Sequence, residues 1–533
     1  MKNTQLIGFA IAAGMAVAAT SCKPDDFLDV NKNPNASTSI GLPAQLTNNL
    51  IYTGFANSNE LGRASGLLVQ HMAGTANQPA TFDVYNLRGA FDNSWNFELY
   101  GGSLINSKLM VDQATLTNSP AYAGIGKLLM AYNFALTTDL YGDIPYSQAL
   151  QGLNGLAPRF DTQEDIYKGN TSKNIKSLVE LVREGLADLD KPSALTPTRA
   201  DDPIYGGSIT RWKRMGNTLL LKLANTMSKR EPALAGAIIT QASTAGAIIS
   251  NADDFEIPFG SAVGNQNPIY SYNFLNRQDD QMLSQRLLDS MAVRRDPRLP
   301  LFFNTTQTRT ATVNTTGTNV TLAGPVVGGV ATPDQVLTFT GYQNGANVAV
   351  PARVPVTGNT TLTNRSRYNV YVRGTVGEAP VRLLTNFQRL FILAESAQRG
   401  LPGFTLPAGQ TTQTLYRAAI QASMQKAGVP DVDIAKYFTD NPRVANLSTN
   451  STTALNQILT QKWIAWVGNG YEAYNDYRRT GFPRLALADN PAGDDPTVIP
   501  QRFPYPNTEV NANGNAEGFN KNIRTSVPVW WAQ

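Results

Sequence analysis

The two rarest reactive side chains limit the chemistry that this sequence can perform. It has one histidine, His71, and one cysteine, Cys22, among 533 residues. A metal site built from several histidines or cysteines is therefore excluded, and so is a disulfide within the chain. A Ser-His-Asp triad would have to use His71, and a thiol nucleophile would have to be Cys22.

Paired carboxylates are the remaining route to hydrolysis, because glycoside hydrolases place two acids about 5–9.5 Å apart around one bond. The sequence contains the adjacent pairs Asp253–Asp254 and Asp279–Asp280 and the spaced pair of Asp139 and Asp143. Adjacent side chains diverge on a strand or helix, so neither adjacent pair points at one bond. Asp139 and Asp143 lie where a helix is expected to end, and we expect them to cap or pair locally rather than to bind calcium or act in catalysis.

The N-terminal residues have the pattern of a lipoprotein signal peptide. Lys2 precedes an uncharged, mostly apolar run from Leu6 to Ala19. That run is too short to span about 30 Å of hydrocarbon and has the length of a signal-peptide core. Small residues then lead to Cys22 in the sequence ATSC, which resembles a lipobox apart from Ala19, where leucine is usual.

We therefore predict that residues 1–21 form a signal peptide and that Cys22 carries the lipid, since two or more acyl chains make anchoring stable. The alternative is an ordinary secretory signal with a buried free cysteine. Residues 22–41 are polar, with Asp25 and Asp26 near their start, and are predicted to form a flexible tether. No second run of 18 or more apolar residues follows, so we expect a chain that is anchored to a membrane and does not span it.

Composition indicates a folded protein and argues against nucleic-acid binding. Hydrophobic residues make up 42% of the chain, enough for a sizeable core. Charged residues make up only 16%, against about 25% in ordinary soluble domains. The net charge of +4 is too small and dispersed to favour nucleic acid. A neutral polar surface suits an extracytoplasmic protein with neutral ligands.

Helical spacing of apolar residues dominates from about Leu42 to Ala292 and returns near Leu383. One helix is predicted to begin at Ser119-Pro120 and to end at Gly142. Between the two helical regions, residues 301–375 are rich in threonine, valine, asparagine and glycine. We interpret them as a loop and β excursion, which either carries function or is a solvated insertion.

Three tryptophans and the single histidine fall within the predicted helices. Trp212, Trp463 and Trp466 lie on apolar helix faces and are predicted to be core residues rather than ligand platforms. His71 is predicted to be a hydrogen-bonded helix residue. None of the four is therefore a candidate for catalysis or binding.

A series of short sequence motifs is spread over most of the chain. They are FLDVNKNPN at 27–35, DLYGDIPYSQAL at 139–150, PRFDTQEDIY at 158–167, DPIYGGSITRWKRMGNTLLLKLA at 202–224, RRDPRLP at 294–300, FILAESAQRG at 391–400, QKWIAWVGNGYEAYNDYRRTGFPRL at 461–485, IPQRFPYPNTE at 499–509 and VWW at 529–531. Together they resemble the SusD/RagB family of outer-membrane nutrient-binding lipoproteins of Bacteroidetes. The DVNKNPN motif resembles the branch of this family in which the N-terminal region of the mature protein begins with DVNxNPN.

This resemblance implies a mainly α-helical fold, with a tetratricopeptide-like scaffold of helix pairs and a loop-rich, minor-β region facing the ligand. It implies one SusD-like domain at 42–533 that contains the excursion at 301–375. Such proteins are lipid-anchored in the outer membrane and face outwards, and Asp25 and Asp26 resemble the family's surface-export signal. They capture oligosaccharides or peptides and deliver them to a SusC-type TonB-dependent transporter, without cofactor or catalysis. The alternatives are a surface-anchored glycoside hydrolase and a purely structural envelope lipoprotein.

Aromatic residues on irregular segments are the candidates for oligosaccharide binding, because aromatic faces stack on sugar rings while amides and carboxylates bind hydroxyls. The chain has 20 tyrosines, 21 phenylalanines and 6 tryptophans. The predicted ligand-binding residues are Tyr85, Tyr270, Tyr272, Phe274 and Tyr342, which have asparagine, glutamine or aspartate nearby in the sequence. The alternative is that these rings pack against the core and hold the loops in place.

Overall fold

The structure is a computed structural model that describes residues 40–306, 318–327, 330–346, 355–356, 359–362, 365–516 and 523–533. The predicted signal peptide at 1–21 and the predicted lipidation site at Cys22 lie outside the described residues. So does the tether at 22–41 except for its last two residues, together with parts of the excursion at 301–375.

The described chain is mainly helical, as predicted. Its α-helices are α1 (Leu42–Ser58), α2 (Glu60–Leu68), α3 (Asn77–Asp83), α4 (Ile105–Leu116), α5 (Pro120–Tyr141), α6 (Gln163–Lys168), α7 (Leu178–Asp188), α8 (Ile209–Met227), α9 (Pro232–Gly246), α10 (Pro268–Tyr270), α11 (Gln285–Ala292), α12 (Leu299–Phe302), α13 (Val370–Arg373), α14 (Asn386–Arg399), α15 (Thr412–Ala427), α16 (Asp431–Asp440), α17 (Pro442–Ala445), α18 (Ser451–Ala465), α19 (Gly470–Thr480) and α20 (Asn507–Ala512). Two π-helices, Ser94–Leu104 before α4 and Ser271–Asn276 after α10, complete the longer helical runs.

The β structure is minor, and the two-stranded sheets of the described residues are antiparallel. The strands are β1 (Met72–Gly74), β2 (Ile144–Pro145), β3 (Phe160–Asp161), β4 (Phe255–Ile257), β5 (Gln281–Leu283), β6 (Thr318–Leu322), β7 (Val326–Val327), β8 (Val330–Ala331), β9 (Gln335–Phe339), β10 (Pro355–Val356), β11 (Asn359–Leu362) and β12 (Val381–Leu384). They form the two-stranded sheets β1–β5, β2–β3, β4–β12, β6–β9, β7–β8 and β10–β11. Strands β6 to β11 fall within the threonine- and valine-rich stretch.

Successive helix pairs build the scaffold. Helix α5 packs between α4 and α7, and α8 packs against α7 and α9. Helix α8 also contacts α14, which packs on α15 and α18. Helix α19, near the C-terminal end of the described chain, packs against α2 near its beginning. None of the described helices combines the length and the hydropathy needed to cross a membrane.

Helix α5 is almost completely buried, and its predicted ends are confirmed. Ser119 is its N-cap and Pro120 its first residue, a position where the missing proline N–H costs no hydrogen bond. The helix ends at Tyr141, and Gly142 follows with a φ of 86°, a conformation that glycine adopts without strain. The next turn directs the chain into β2.

The three tryptophans predicted to be core residues are buried: Trp212, Trp463 and Trp466. His71 is buried too, with its Nε2 atom 2.9 Å from the Trp463 carbonyl oxygen. It lies in a bend after the end of α2, so the prediction of a helical position is wrong while that of a hydrogen bond is confirmed. Burial lowers the pKa of His71 to about 3, which leaves the ring neutral at physiological pH.

Candidate ligand-binding site

The segment from Asn267 to Leu283 carries three of the five predicted aromatic residues. Asn267 caps the short helix α10, accepting a hydrogen bond from the Ile269 N–H at 2.8 Å, while Pro268 occupies the first helical position. The Asn267 amide also donates to the Ala379 carbonyl oxygen at 2.8 Å. This bond fixes the start of the segment against the loop that precedes β12.

The π-helix that follows brings Tyr270 and Phe274 side by side. Their ring centroids are 5.5 Å apart and the ring planes differ by 17°. Two guanidinium groups contact Phe274: Arg373 lies 3.8 Å and Arg367 4.4 Å from its ring centroid. Tyr270 is 8% exposed, whereas Phe274 is half-buried and the adjacent Leu275 is 46% exposed. Phe274 is therefore less enclosed than Tyr270.

Tyr272 is held in a polar environment by three side chains. Its hydroxyl donates to Asp280 Oδ2 at 2.8 Å, and Asn77 Nδ2 donates to Asp280 Oδ1 at 2.7 Å. The guanidinium carbon of Arg63 lies 3.8 Å from the Tyr272 ring centroid. Burial, together with the hydrogen bond to Asp280, raises the pKa of Tyr272 well above its ordinary value, although the positive charge of Arg63 opposes the change. The hydroxyl therefore stays protonated and remains a donor.

Tyr342 lies on the other side of strand β5. Its N–H donates to the Leu283 carbonyl at 2.9 Å, and its carbonyl accepts from the Gln285 N–H at 2.8 Å. Its ring is 8% exposed and packs with Ala73 and Met282. Burial raises the pKa of Tyr342 to about 12. In this conformation the ring presents little surface to a ligand.

Tyr85 is the most buried of the five, with 3% of its surface exposed. Its φ of 70° is unusual for a non-glycine residue. Its hydroxyl accepts a hydrogen bond from the Ala488 N–H at 2.7 Å, which ties this loop to the C-terminal part of the chain. The ring is enclosed and offers no free face for stacking as it stands.

A buried carboxylate joins the loops that carry Tyr85 and Tyr342. Asp83 accepts from Asn344 Nδ2 and from the Gly345 N–H, each at 2.6 Å. Burial raises the pKa of Asp83 from its ordinary 3.8 to about 7, although these hydrogen bonds oppose the change. The two loops are thus coupled through one titratable group.

The structure therefore groups the predicted residues into two sets beside β5. Tyr270, Tyr272 and Phe274 lie on its N-terminal side, where Asp280 immediately precedes the strand. Tyr342 contacts the strand's last residue. The loop that carries Tyr85 is connected to the loop of Tyr342 by the hydrogen bond between Asp83 and Asn344. The role of all five in binding stays a prediction.

Besides Arg367, four side chains at the aromatic cluster were not predicted to take part in it. Arg63, Asn77 and Arg373 contact the cluster from distant parts of the chain, and Asp280 binds both Tyr272 and Asn77. Only Asp280 carried a sequence signal, as one member of an adjacent acidic pair. The other three approach through long-range packing, which has no local pattern.

Each aspartate of the two adjacent acidic pairs has a side-chain partner within the protein. Asp253 lies 2.9 Å from Arg214, and Asp254 lies 3.0 Å from Lys426. Asp279 pairs with Arg365 while Asp280 faces Tyr272, so the two adjacent carboxylates diverge as expected. Within the described ranges, no three histidine, cysteine, aspartate or glutamate side chains are grouped so that they could hold a metal ion.

Comparison with known proteins gives matches over most of the chain. A SusD-like family model, described as "Starch-binding associating with outer membrane", matches residues 34–506. No curated protein matches the chain.

Three solved structures illustrate the fold similarity. A chitin-binding protein superposes with a TM-score of 0.70 at 22% identity, covering 92% of this chain and 100% of its own. A SusD/RagB family protein from Bacteroides thetaiotaomicron gives 0.70 at 21% identity over 93% and 99% of the two chains. A chitin-binding SusD homolog from Flavobacterium johnsoniae gives 0.70 at 21% identity over 92% and 98%. At these identities the likeness shows a shared fold.

Proposed function

Because the chain belongs to the SusD-like family, we propose that it is a cell-surface lipoprotein that captures oligosaccharide or peptide nutrients. It delivers them to a SusC-type TonB-dependent transporter in the outer membrane and performs no covalent chemistry. The observation that carries this proposal is the family match over residues 34–506. Two structural neighbours described as chitin-binding support a glycan rather than a peptide as the ligand.

The aromatic cluster is the proposed glycan-contacting surface. Tyr272 and Phe274 are only half-buried, and we infer that the accessible part of each packs against the apolar face of a sugar ring. The exposed Asn77 supplies an amide that binds sugar hydroxyls, while the buried Asp280, which accepts from Asn77 at 2.7 Å, holds that amide in place. Binding that releases its ligand to a transporter is expected to be loose, with a dissociation constant of roughly micromolar to millimolar.

The proposed anchor is a lipid on Cys22, after removal of residues 1–21. Residues 22–41 then tether a single domain, 42–533, to the outer membrane, where it faces the outside. The pattern of the N-terminal sequence and the family's description as associated with the outer membrane support this arrangement.

The test is a glycan and peptide array with the intact protein in detergent, followed by calorimetric titration of the best ligand. We expect a neutral oligosaccharide to bind without being cleaved. Cleavage that one aspartate-to-asparagine substitution abolishes would instead indicate the glycoside hydrolase. Binding of no glycan or peptide would favour a structural envelope protein.

A further inference from the structure

A cavity away from the aromatic cluster is lined mainly by charged and polar side chains. It lies where α17 and the ends of α16 and α18 meet the residues that follow α11. Its volume is about 380 Å³, within the range of about 300–1,000 Å³ that is usual for small-molecule sites. None of the five predicted aromatic residues lines it.

Two arginines of this cavity have no acidic partner among the residues that the structure describes. Arg294 donates through Nη1 to the carbonyl and hydroxyl oxygens of Ser290, at 2.6 and 3.0 Å. Arg443, in the last turn of α17, is exposed and makes no ion pair within the same ranges. The cavity therefore has two guanidinium groups whose charges the described carboxylates do not balance.

The single acid of the lining does not change this balance. Asp440 Oδ2 lies 2.7 Å from Lys436 Nζ, one helical turn earlier on α16. This ion pair neutralises Asp440, so the lining retains an excess positive charge. Such an excess favours an anionic ligand over a neutral one.

A buried amide donor points to the same ligand chemistry. Gln461 lines the cavity and is 1% exposed. Its Oε1 atom accepts from Arg298 Nη2 at 2.8 Å, and this bond fixes which end of the amide is oxygen. The Nε2 atom is buried and donates to no group in the described chain. An unsatisfied buried donor costs about 1–3 kcal/mol, which a ligand oxygen would recover.

We propose that this cavity is a second binding site, which takes a small ligand through a carboxylate group. A carboxylate only accepts hydrogen bonds, and the planar arginine fork matches it in shape and charge. Arg294 and Arg443 balance its charge, and Gln461 Nε2 donates to one of its oxygens. This site is independent of the proposed glycan surface and does not require it.

The proposal is tested by calorimetric titration of the intact protein with glucuronate, using neutral glucose and inorganic sulfate as comparison ligands. We expect glucuronate to bind, glucose not to bind at the same concentration, and sulfate to bind more weakly. Arg294→Gln and Arg443→Gln should each weaken glucuronate binding by about tenfold, as loss of one charge-assisted contact does. Gln461→Glu keeps an oxygen for Arg298 but removes the free donor, and should weaken binding likewise.

Arg183→Gln is the matched control, because Arg183 is an exposed arginine on α7 that does not line this cavity and that donates to Gln241 Oε1 at 2.8 Å. It should leave glucuronate binding unchanged. Equal binding of glucose, absence of glucuronate binding, or no effect of either cavity arginine would overturn the proposal. Sulfate binding as tight as glucuronate would overturn the carboxylate assignment, and weakening by Tyr272→Ala would move the site to the aromatic cluster.

Discussion

The indole Nε1 of Trp531 donates a hydrogen bond of 3.0 Å to Asp139 Oδ1, a residue 392 positions earlier in the chain. Asp139 is fully buried and also accepts from Tyr167, Tyr471 and Asn475, at 2.6 to 2.8 Å. This one carboxylate thus joins α5, α6, α19 and the C-terminal residues. Its oxygens are occupied by protein donors, which accounts for an acidic residue in the middle of a core.

Asp139→Asn should strongly destabilise the fold. The substitution removes the charge that faces Lys222 Nζ, 3.4 Å away and itself buried, and breaking a buried pair costs about 3–5 kcal/mol. Urea denaturation measures the loss. Asp190→Asn is the matched control, because Asp190 forms an exposed pair with Lys213 at 2.6 Å and should change little. A similar loss of unfolding free energy in both variants would show that the buried position of Asp139 is not the cause of the destabilisation.

Gly470→Ala should loosen the contact between α2 and α19. A Cβ atom at position 470 would overlap the backbone of Gly66, so the two helices must separate. Overpacking of this kind costs about 1–3 kcal/mol, which a lower melting temperature would report. Gly514→Ala is the control, since a Cβ there meets no atom within 4 Å. An unchanged melting temperature for Gly470→Ala would contradict the close helix contact.

Asp83 should make stability depend on pH. Burial raises its pKa in the folded state to about 7 from the ordinary 3.8, so folding takes up a proton between these values. Its contribution to stability is therefore full at about pH 4 and is lost as the pH rises towards about 7. Relative to Asp83→Asn, the wild type should lose on the order of 2–4 kcal/mol over this interval.

The measurement is urea denaturation of both proteins at several pH values. Asp254 and Glu472, whose pKa values burial also raises to about 7, contribute to both curves and cancel in the difference. If the free energy of unfolding changed with pH in the same way for the wild type and for Asp83→Asn, the pH dependence could not be assigned to Asp83.

Tyr272→Ala should weaken glycan binding by on the order of 1 kcal/mol if ring stacking carries the affinity. Tyr272→Phe loses the hydrogen bond to Asp280 but keeps the ring over Arg63, and should retain most of the affinity. Tyr270→Ala is different, because that ring is buried against Phe274, and it should lower the melting temperature as well. Calorimetric titration with the best array ligand separates these effects. Full affinity in Tyr272→Ala would place the glycan elsewhere.

Cys22→Ala should release the protein from the outer membrane or block its processing, because the thiol is the proposed site of lipid attachment. Fractionation of cells and the mass of the mature N-terminal peptide are the measurements. Ser21→Ala, which keeps a small residue before the cysteine, is the control and should remain anchored. A Cys22→Ala protein that fractionates like the wild type would contradict lipidation.

Local patterns in the sequence were sufficient for the helical scaffold. The limits of α5 follow from Ser119-Pro120 at its start and Gly142 at its end, because capping and glycine conformations depend on neighbouring residues only. Burial of Trp212, Trp463 and Trp466 follows from their position on apolar faces, since periodicity fixes which side of a helix meets the core. The order of the motifs from FLDVNKNPN to VWW likewise indicated the family from residue identities alone.

Contacts between distant segments required the tertiary structure. Nothing near Asp139 in the sequence indicates Trp531, and nothing near Tyr272 indicates that Arg63 covers its ring. Asp83 and Asn344 are 261 residues apart, and the pKa of Asp83 rises only because folding encloses it. The sequence alone determined the residue types and the helical elements, whereas the burial of Tyr85 and Tyr342 and the partial exposure of Phe274 were decided by packing. The physical reason is that the exposure of an irregular loop depends on which distant elements dock on it.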